Sequence, residues 1–78
     1  MDLKEAASVA KQHVGDLFAA EGPQNIRLES FLYDDHLAVW TLTIGFALGG
    51  RSAAPPPRTF KVIRVSQVDK SVLSVGDR

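Results

Sequence analysis

The first part of the chain carries apolar side chains at helical spacing. Ala6, Ala10 and Val14 belong to an apolar stripe that predicts an amphipathic helix over residues 3–20. Asp2 stands where a side chain would cap the first turn of that helix. Because the stripe is rich in alanine, we expect the helix to lie close against a sheet.

The next segments alternate apolar and polar residues with the period of β-strands. The strict alternation from Trp40 to Phe46 predicts a strand over residues 37–46, with the Trp40 side facing the helix. An earlier strand is predicted over residues 25–34. Its apolar positions change parity near Glu29, which indicates a β-bulge. The alternative is a strand that is buried on both faces.

The last part of the chain predicts two more strands. Residues 58–66 form the first of these, and Ser71–Val75 form a short final one. Residues 47–57, ALGGRSAAPPP, separate the strands with a long loop. Since consecutive elements usually pack side by side, the sequence predicts one α+β domain over residues 1–78. We expect one N-terminal helix packed on a three- or four-stranded antiparallel β-meander (α-β-β-β).

A helix on one side of the sheet leaves the other side uncovered. If the Trp40 side faces the helix, the opposite side carries a moderately apolar surface that is typical of an interface. We expect this open face to bind a protein partner or a second copy of the chain. The residues assigned to it are Val39, Thr41, Thr43, Ile63 and Val65.

The long loop is the second candidate for partner binding. Loops held on a rigid scaffold often carry function, and a run of prolines favours the extended polyproline II conformation. A groove lined by aromatic side chains could accept such a segment. The loop residues assigned to partner binding are Arg51, Pro55, Pro56, Pro57 and Arg58. The alternative is a connector in which the prolines only limit chain entropy.

Composition narrows the function classes. Nine Lys and Arg residues balance nine Asp and Glu residues in a chain of 78, and cysteine is absent. Zero net charge argues against a nucleic-acid binder, and without cysteine neither disulfides nor thiolate metal sites can form. No apolar run has the length of a membrane span, and no signal peptide is evident. We therefore expect a cytoplasmic protein.

Candidate catalytic chemistry is sparse. Asp34, Asp35 and His36 combine carboxylates with an imidazole, which could bind a divalent metal or transfer protons. Adjacent residues point in different directions, however, so a solvated turn is the better interpretation. No serine lies in the setting of a nucleophile. We expect no catalytic residue, no metal site and no cofactor.

The order of the elements resembles that of PepSY domains and, more loosely, half of a cystatin fold. The segments that carry the resemblance are AASVAKQHV in the helix, VWTLTIGF in the second strand and FKVIRVSQVDKSVLSV at the end. The resemblance implies a small binding or inhibitory module without enzymatic activity. No functional residue is carried over from it.

Together these patterns predict a non-enzymatic protein-binding or regulatory module. The alternatives are a homodimeric assembly domain, formed through the open face or by pairing of strand edges, and a binder of a small ligand or metal. Neither nucleic acid nor a membrane is an expected partner.

Overall fold

The structure of the protein is a computed structural model that describes residues 1–48 and 58–78. Within these residues the chain forms helix α1 (Leu3–Leu17), a 3₁₀ turn (Ala19–Glu21) and four strands. The strands are β1 (Pro23–Asp34), β2 (Val39–Leu48), β3 (Arg58–Ser66) and β4 (Val72–Asp77). They form one antiparallel sheet in the order β1-β2-β3-β4, and the helix packs on one of its faces. The predicted α+β fold, with a helix followed by a meander, is confirmed.

Helix α1 begins as predicted and ends earlier. The Asp2 carboxylate accepts a hydrogen bond from the backbone N–H of Glu5 at 2.8 Å, which caps the first turn. The helix stops at Leu17 and is followed by the 3₁₀ turn, whereas the prediction extended it to residue 20. Gly22 then takes a left-handed conformation with a φ of 62°, which glycine adopts without strain.

The stripe of small residues brings the helix close to the sheet. Ala6, Ala10 and Val14 are fully buried against the central strands. At the C-terminal end of the helix, the rings of Phe18 and Phe46 lie 5.0 Å apart between centroids. Together with buried side chains of the sheet such as Leu42 and Ile44, this contact and the alanine stripe form the core on the helix side.

The predicted bulge in β1 is present. The pairing of β1 with β2 shifts between Leu28 and Ser30, so Glu29 is the extra residue. A second shift lies between Gln24 and Arg27, and the intervening Asn25 has a φ of 53°. The first bulge restores one apolar face, as the change of parity indicated.

Strand β3 has the predicted bounds, but its faces are opposite to those expected. In the pairing of β2 with β3, Ile63 lies opposite Leu42 and Val65 lies opposite Trp40. Residues opposite each other in a ladder share a face, so both side chains point towards the helix. Ile63 and Val65 are fully buried in the core, and their assignment to an open face is wrong.

The two remaining strands differ from their expected bounds at the ends. Strand β2 begins and ends two residues later than predicted, and β4 extends from Val72 through Gly76 to Asp77. At its end Asp77 pairs with Lys61 by a salt bridge. The Lys61 ammonium group also lies 5.8 Å from the centre of the Phe18 ring. The end of the chain is thereby connected to the C-terminal end of the helix.

Candidate interaction surface

The clearest exposed apolar feature is on strand β1. Within the described residues, one edge of β1 pairs with β2 and the other pairs with no strand. Three consecutive large apolar residues on it are exposed: Phe31 by 54%, Leu32 by 66% and Tyr33 by 39%. We call residues 30–34 the edge segment. An exposed apolar strand edge of this kind is a template for pairing with another chain.

Two aromatic side chains of the edge segment lie against Trp40. The Tyr33 and Trp40 ring centroids are 4.7 Å apart, and those of Phe31 and Trp40 are 6.5 Å apart. The Trp40 indole N–H donates to the Gln67 side-chain carbonyl at 2.6 Å, which holds the ring in place. We call Phe31, Tyr33 and Trp40 the aromatic corner. Trp40 is half-buried against the core, so the corner joins the core to the exposed edge.

The direction of helix α1 explains why this corner is exposed. At its N-terminal end, Glu5 accepts a hydrogen bond from the Lys70 ammonium group at 2.9 Å, in the turn between β3 and β4. At its other end, Gly15 lies beside Ile26 near the start of β1. The helix thus crosses the sheet diagonally and leaves the last part of β1 uncovered.

The opposite face of β2 offers less surface than expected. Val39 and Thr43 are buried, and Thr41 is half-buried. At Gly45 the side chains of the flanking strands come close enough to cover the backbone. Since Ile63 and Val65 belong to the core, the predicted open face does not exist as a continuous apolar patch. Whether Val39, Thr41 and Thr43 bind a partner stays a prediction.

Gly45 is required for this covering. A Cβ at this position would lie 2.9 Å from the Glu29 Cγ and 3.0 Å from the Phe60 Cε1. We expect Gly45→Val to lower the free energy of unfolding by about 1–3 kcal/mol, because these side chains must move. The measurement is urea unfolding followed by Trp40 fluorescence. Gly76→Val is the matched control, since a Cβ there meets nothing within 4 Å. Equal losses for the two variants would contradict this account.

The loop residues assigned to partner binding are only partly described. Arg51, Pro55, Pro56 and Pro57 lie outside the described residues. Arg58 begins β3, where its Nη2 donates to the Asn25 carbonyl at 3.0 Å and lies 4.0 Å from the Glu29 carboxylate. The Arg58 side chain therefore connects β3 to the irregular start of β1.

The acidic segment at Asp34–His36 forms a turn. The Asp34 carboxylate accepts hydrogen bonds from the backbone N–H groups of His36 at 2.9 Å and Leu37 at 3.1 Å. This is an Asx turn, the interpretation that the sequence favoured over a metal site. Among residues 1–48 and 58–78, no three carboxylate or imidazole groups lie close enough together to hold a metal ion.

The second acidic turn stabilises the β3–β4 connection. Ser71 donates to the Asp69 carboxylate from its hydroxyl at 2.7 Å and from its backbone N–H at 3.0 Å. These hydrogen bonds, the hydroxyl one first, hold the pKa of Asp69 below its ordinary value. Because the pKa is lowered in the folded state, the stabilisation is present above the unfolded pKa. This stabilisation is lost as the pH falls through the pKa that Asp69 has in the folded state.

The sequence contains a signal for the edge segment that the prediction did not use. Three successive large apolar residues in a strand place apolar side chains on both faces. Such a run is typical of a strand buried on both sides or of an interface. The parity of Phe31 and Tyr33 favours a bulge or a strand buried on both faces, and neither interpretation predicts that these side chains are exposed. Their exposure depends on the path of the helix, which periodicity does not determine.

Comparison with known proteins assigns neither a family nor a function to the chain. No family model, curated protein or solved structure matches the chain. The resemblance to PepSY and cystatin folds therefore stays a prediction. In the part of the chain that the structure describes, no helix has the length and apolar character needed to cross a bilayer.

Proposed function

We propose that this chain is a non-enzymatic protein-interaction module that binds an extended polypeptide along the free edge of β1. The observation that supports this function is the edge segment, where three consecutive large apolar side chains are exposed beside backbone that pairs with no strand among residues 1–48 and 58–78. In strand addition, backbone hydrogen bonds supply affinity and the alternating side chains supply specificity. The aromatic corner would receive apolar side chains of the partner on the helix side of the sheet.

The first part of β1 is poorly suited to pairing with another strand, which limits the proposed binding site to the edge segment. The strand begins with Pro23, which has no N–H to donate, and it is interrupted by the bulge at Glu29. Both features commonly protect strand edges from pairing with other chains. The edge segment follows both features along the strand and contains neither of them. Its apolar side chains therefore favour a binding role over a protected edge.

Selection of peptides tests this function. We would select ligands from random peptides of about eight residues, near the length of an ordinary strand. The expected ligands carry successive apolar residues, because the edge segment exposes apolar side chains on both faces of the strand. Leu32→Lys should weaken their binding by about tenfold or more, since a charge on the edge opposes an apolar partner. Leu73→Lys on β4 is the matched control, because Leu73 is also an exposed leucine on an edge strand.

Two results would reject the proposed function. One is the absence of any selected peptide at a concentration at which sedimentation shows the protein to be monomeric. The other is an equal loss of binding in the Leu32→Lys and Leu73→Lys variants. Circular dichroism of both variants should show that the fold is retained, because both side chains are largely exposed.

A further inference from the structure

The edge segment has defined ends. On its N-terminal side, the bulge at Glu29 displaces the backbone from regular pairing geometry. On its C-terminal side, Asp34 closes the strand by accepting hydrogen bonds from the following turn. Regular pairing along this edge is therefore limited to residues 30–34, and Leu32 is their centre.

The order of side chains in the edge segment is self-complementary. If two copies pair antiparallel about a two-fold axis at Leu32, Leu32 lies opposite Leu32 of the second copy. Phe31 then lies opposite Tyr33 of the second copy, and Ser30 lies opposite Asp34. The faces agree, because Phe31 and Tyr33 pair with Leu42 and Trp40 on the helix side of the sheet. A shift by one residue would set the helix side of one copy beside the opposite side of the other, and it would place Tyr33 opposite Ser30 or Phe31 opposite Asp34.

The charges of the segment also permit this pairing. Each Asp34 faces a serine hydroxyl, and the two Asp34 side chains lie at opposite ends of the paired segment, about 13 Å apart. The formal net charge of the chain is zero, so two copies do not repel each other through their overall charge.

We propose that the partner on the β1 edge is a second copy of this chain, paired antiparallel from residue 30 to residue 34 about a two-fold axis at Leu32. This assignment rests on the proposed function and specifies its partner. The pairing continues the sheet across the axis and brings the two aromatic corners together. Because the paired segment is short, the contact area is modest and the dimer forms in a concentration-dependent way.

Single cysteine variants test the pairing, because the chain has no cysteine of its own. Opposite residues of an antiparallel pair have Cα atoms roughly 4.5–5.5 Å apart, within the range that a disulfide spans. Leu32→Cys should therefore form a disulfide-linked dimer under mild oxidation of the folded protein. Leu73→Cys is the control, since the cysteine would lie on the other edge strand, and it should stay largely monomeric.

A mixture of two variants tests the register. Phe31→Cys and Tyr33→Cys, made with tags of different mass, should link to each other faster than either links to itself. Residues diagonal to each other in the pair are about 7–8 Å apart, beyond easy disulfide geometry. Sedimentation velocity of the unmodified protein over a range of concentrations should show a monomer–dimer equilibrium. Leu32→Lys should abolish the dimer, and Leu73→Lys should retain it.

Several outcomes would overturn the proposal. Linking of Leu32→Cys no faster than that of Leu73→Cys rejects the pairing at β1. Faster self-linking of Phe31→Cys rejects the register. Species larger than dimers indicate that β1 pairs with β4 of another copy, which leaves free edges at both ends of the assembly. The protein could also be monomeric and still bind selected peptides through Leu32. That result would support the interaction module and reject a second copy as its partner.

Discussion

Ile63→Lys is expected to unfold the domain. The Ile63 side chain is fully buried between α1 and the sheet, and its backbone lies opposite Leu42 in β2 and Val75 in β4. A lysine there would bury an unpaired ammonium group at a cost of several kcal/mol. A chain of this size has a free energy of unfolding near the lower end of about 5–15 kcal/mol. Far-ultraviolet circular dichroism at 25 °C should show loss of structure.

Two further variants make this result specific. Leu73→Lys introduces the same side chain at an exposed position and should remain folded. Ile63→Val removes one methylene group and should lower the free energy of unfolding by about 0.5–1.5 kcal/mol. A folded Ile63→Lys protein that had only lost a dimer would contradict the core position, and it would support the open face expected from the sequence.

Phe46→Ala is expected to lower the free energy of unfolding by about 3–5 kcal/mol. The Phe46 side chain is fully buried, and its ring contacts that of Phe18 near the C-terminal end of α1. Removing the ring leaves a cavity between the helix and the sheet and loses the aromatic contact. Urea unfolding followed by Trp40 fluorescence measures the change, since the chain has one tryptophan.

Phe31→Ala is the matched control for Phe46→Ala. Phe31 is the same residue type on the same face of the sheet, but it is 54% exposed. We expect its substitution to cost about 1 kcal/mol, because it loses the contact with the Trp40 ring but leaves no buried cavity. Similar losses in the free energy of unfolding for the two variants would contradict the placement of Phe46 in the core and of Phe31 outside it. A double-mutant cycle between Phe46 and Phe18 should give a coupling of about 0.5–1.5 kcal/mol.

Much of the fold could be predicted from the period of the apolar residues. The alanine stripe is compatible with a helix packed on a sheet, and the alternation around Leu42 is compatible with a strand that has one core face. The bulge followed from a change of parity at Glu29, because only an extra residue keeps both halves of β1 facing the core. These features are local, so the sequence contains the information that determines them.

The faces of β3 could not be predicted in the same way. Phe60 and Val62 make one face of this strand apolar, and Ile63 and Val65 make the other face apolar. Both assignments satisfy the alternation, so only the register with β2 selects between them. Phe60 lies on the face away from the helix, where the Arg78 guanidinium group lies 4.7 Å from its ring centre. The largest side chain of the strand is therefore outside the main core.

The candidate surface depends on an angle between elements. Phe31 and Tyr33 have the parity of core residues, and they would be buried under a helix that followed β1. The diagonal path of α1 leaves them exposed instead. The alanine stripe packs against the central strands, and Glu5 contacts Lys70 at the N-terminal end of the helix, so the angle depends on contacts outside β1. No pattern within β1 specifies it.

The strand order has a consequence for the rate and sequence of folding. Each strand pairs with its neighbour along the chain, and the turns within the β1–β2 and β3–β4 hairpins are short. Closing short loops costs little entropy, so each hairpin can form on a microsecond timescale before the whole chain is organised. The ladder between β2 and β3, where Leu42 meets Ile63, then joins the hairpins. Docking of the helix onto this joined sheet completes the core. Since the connection between β2 and β3 is the longest of the three, we expect their ladder to form after the two hairpins.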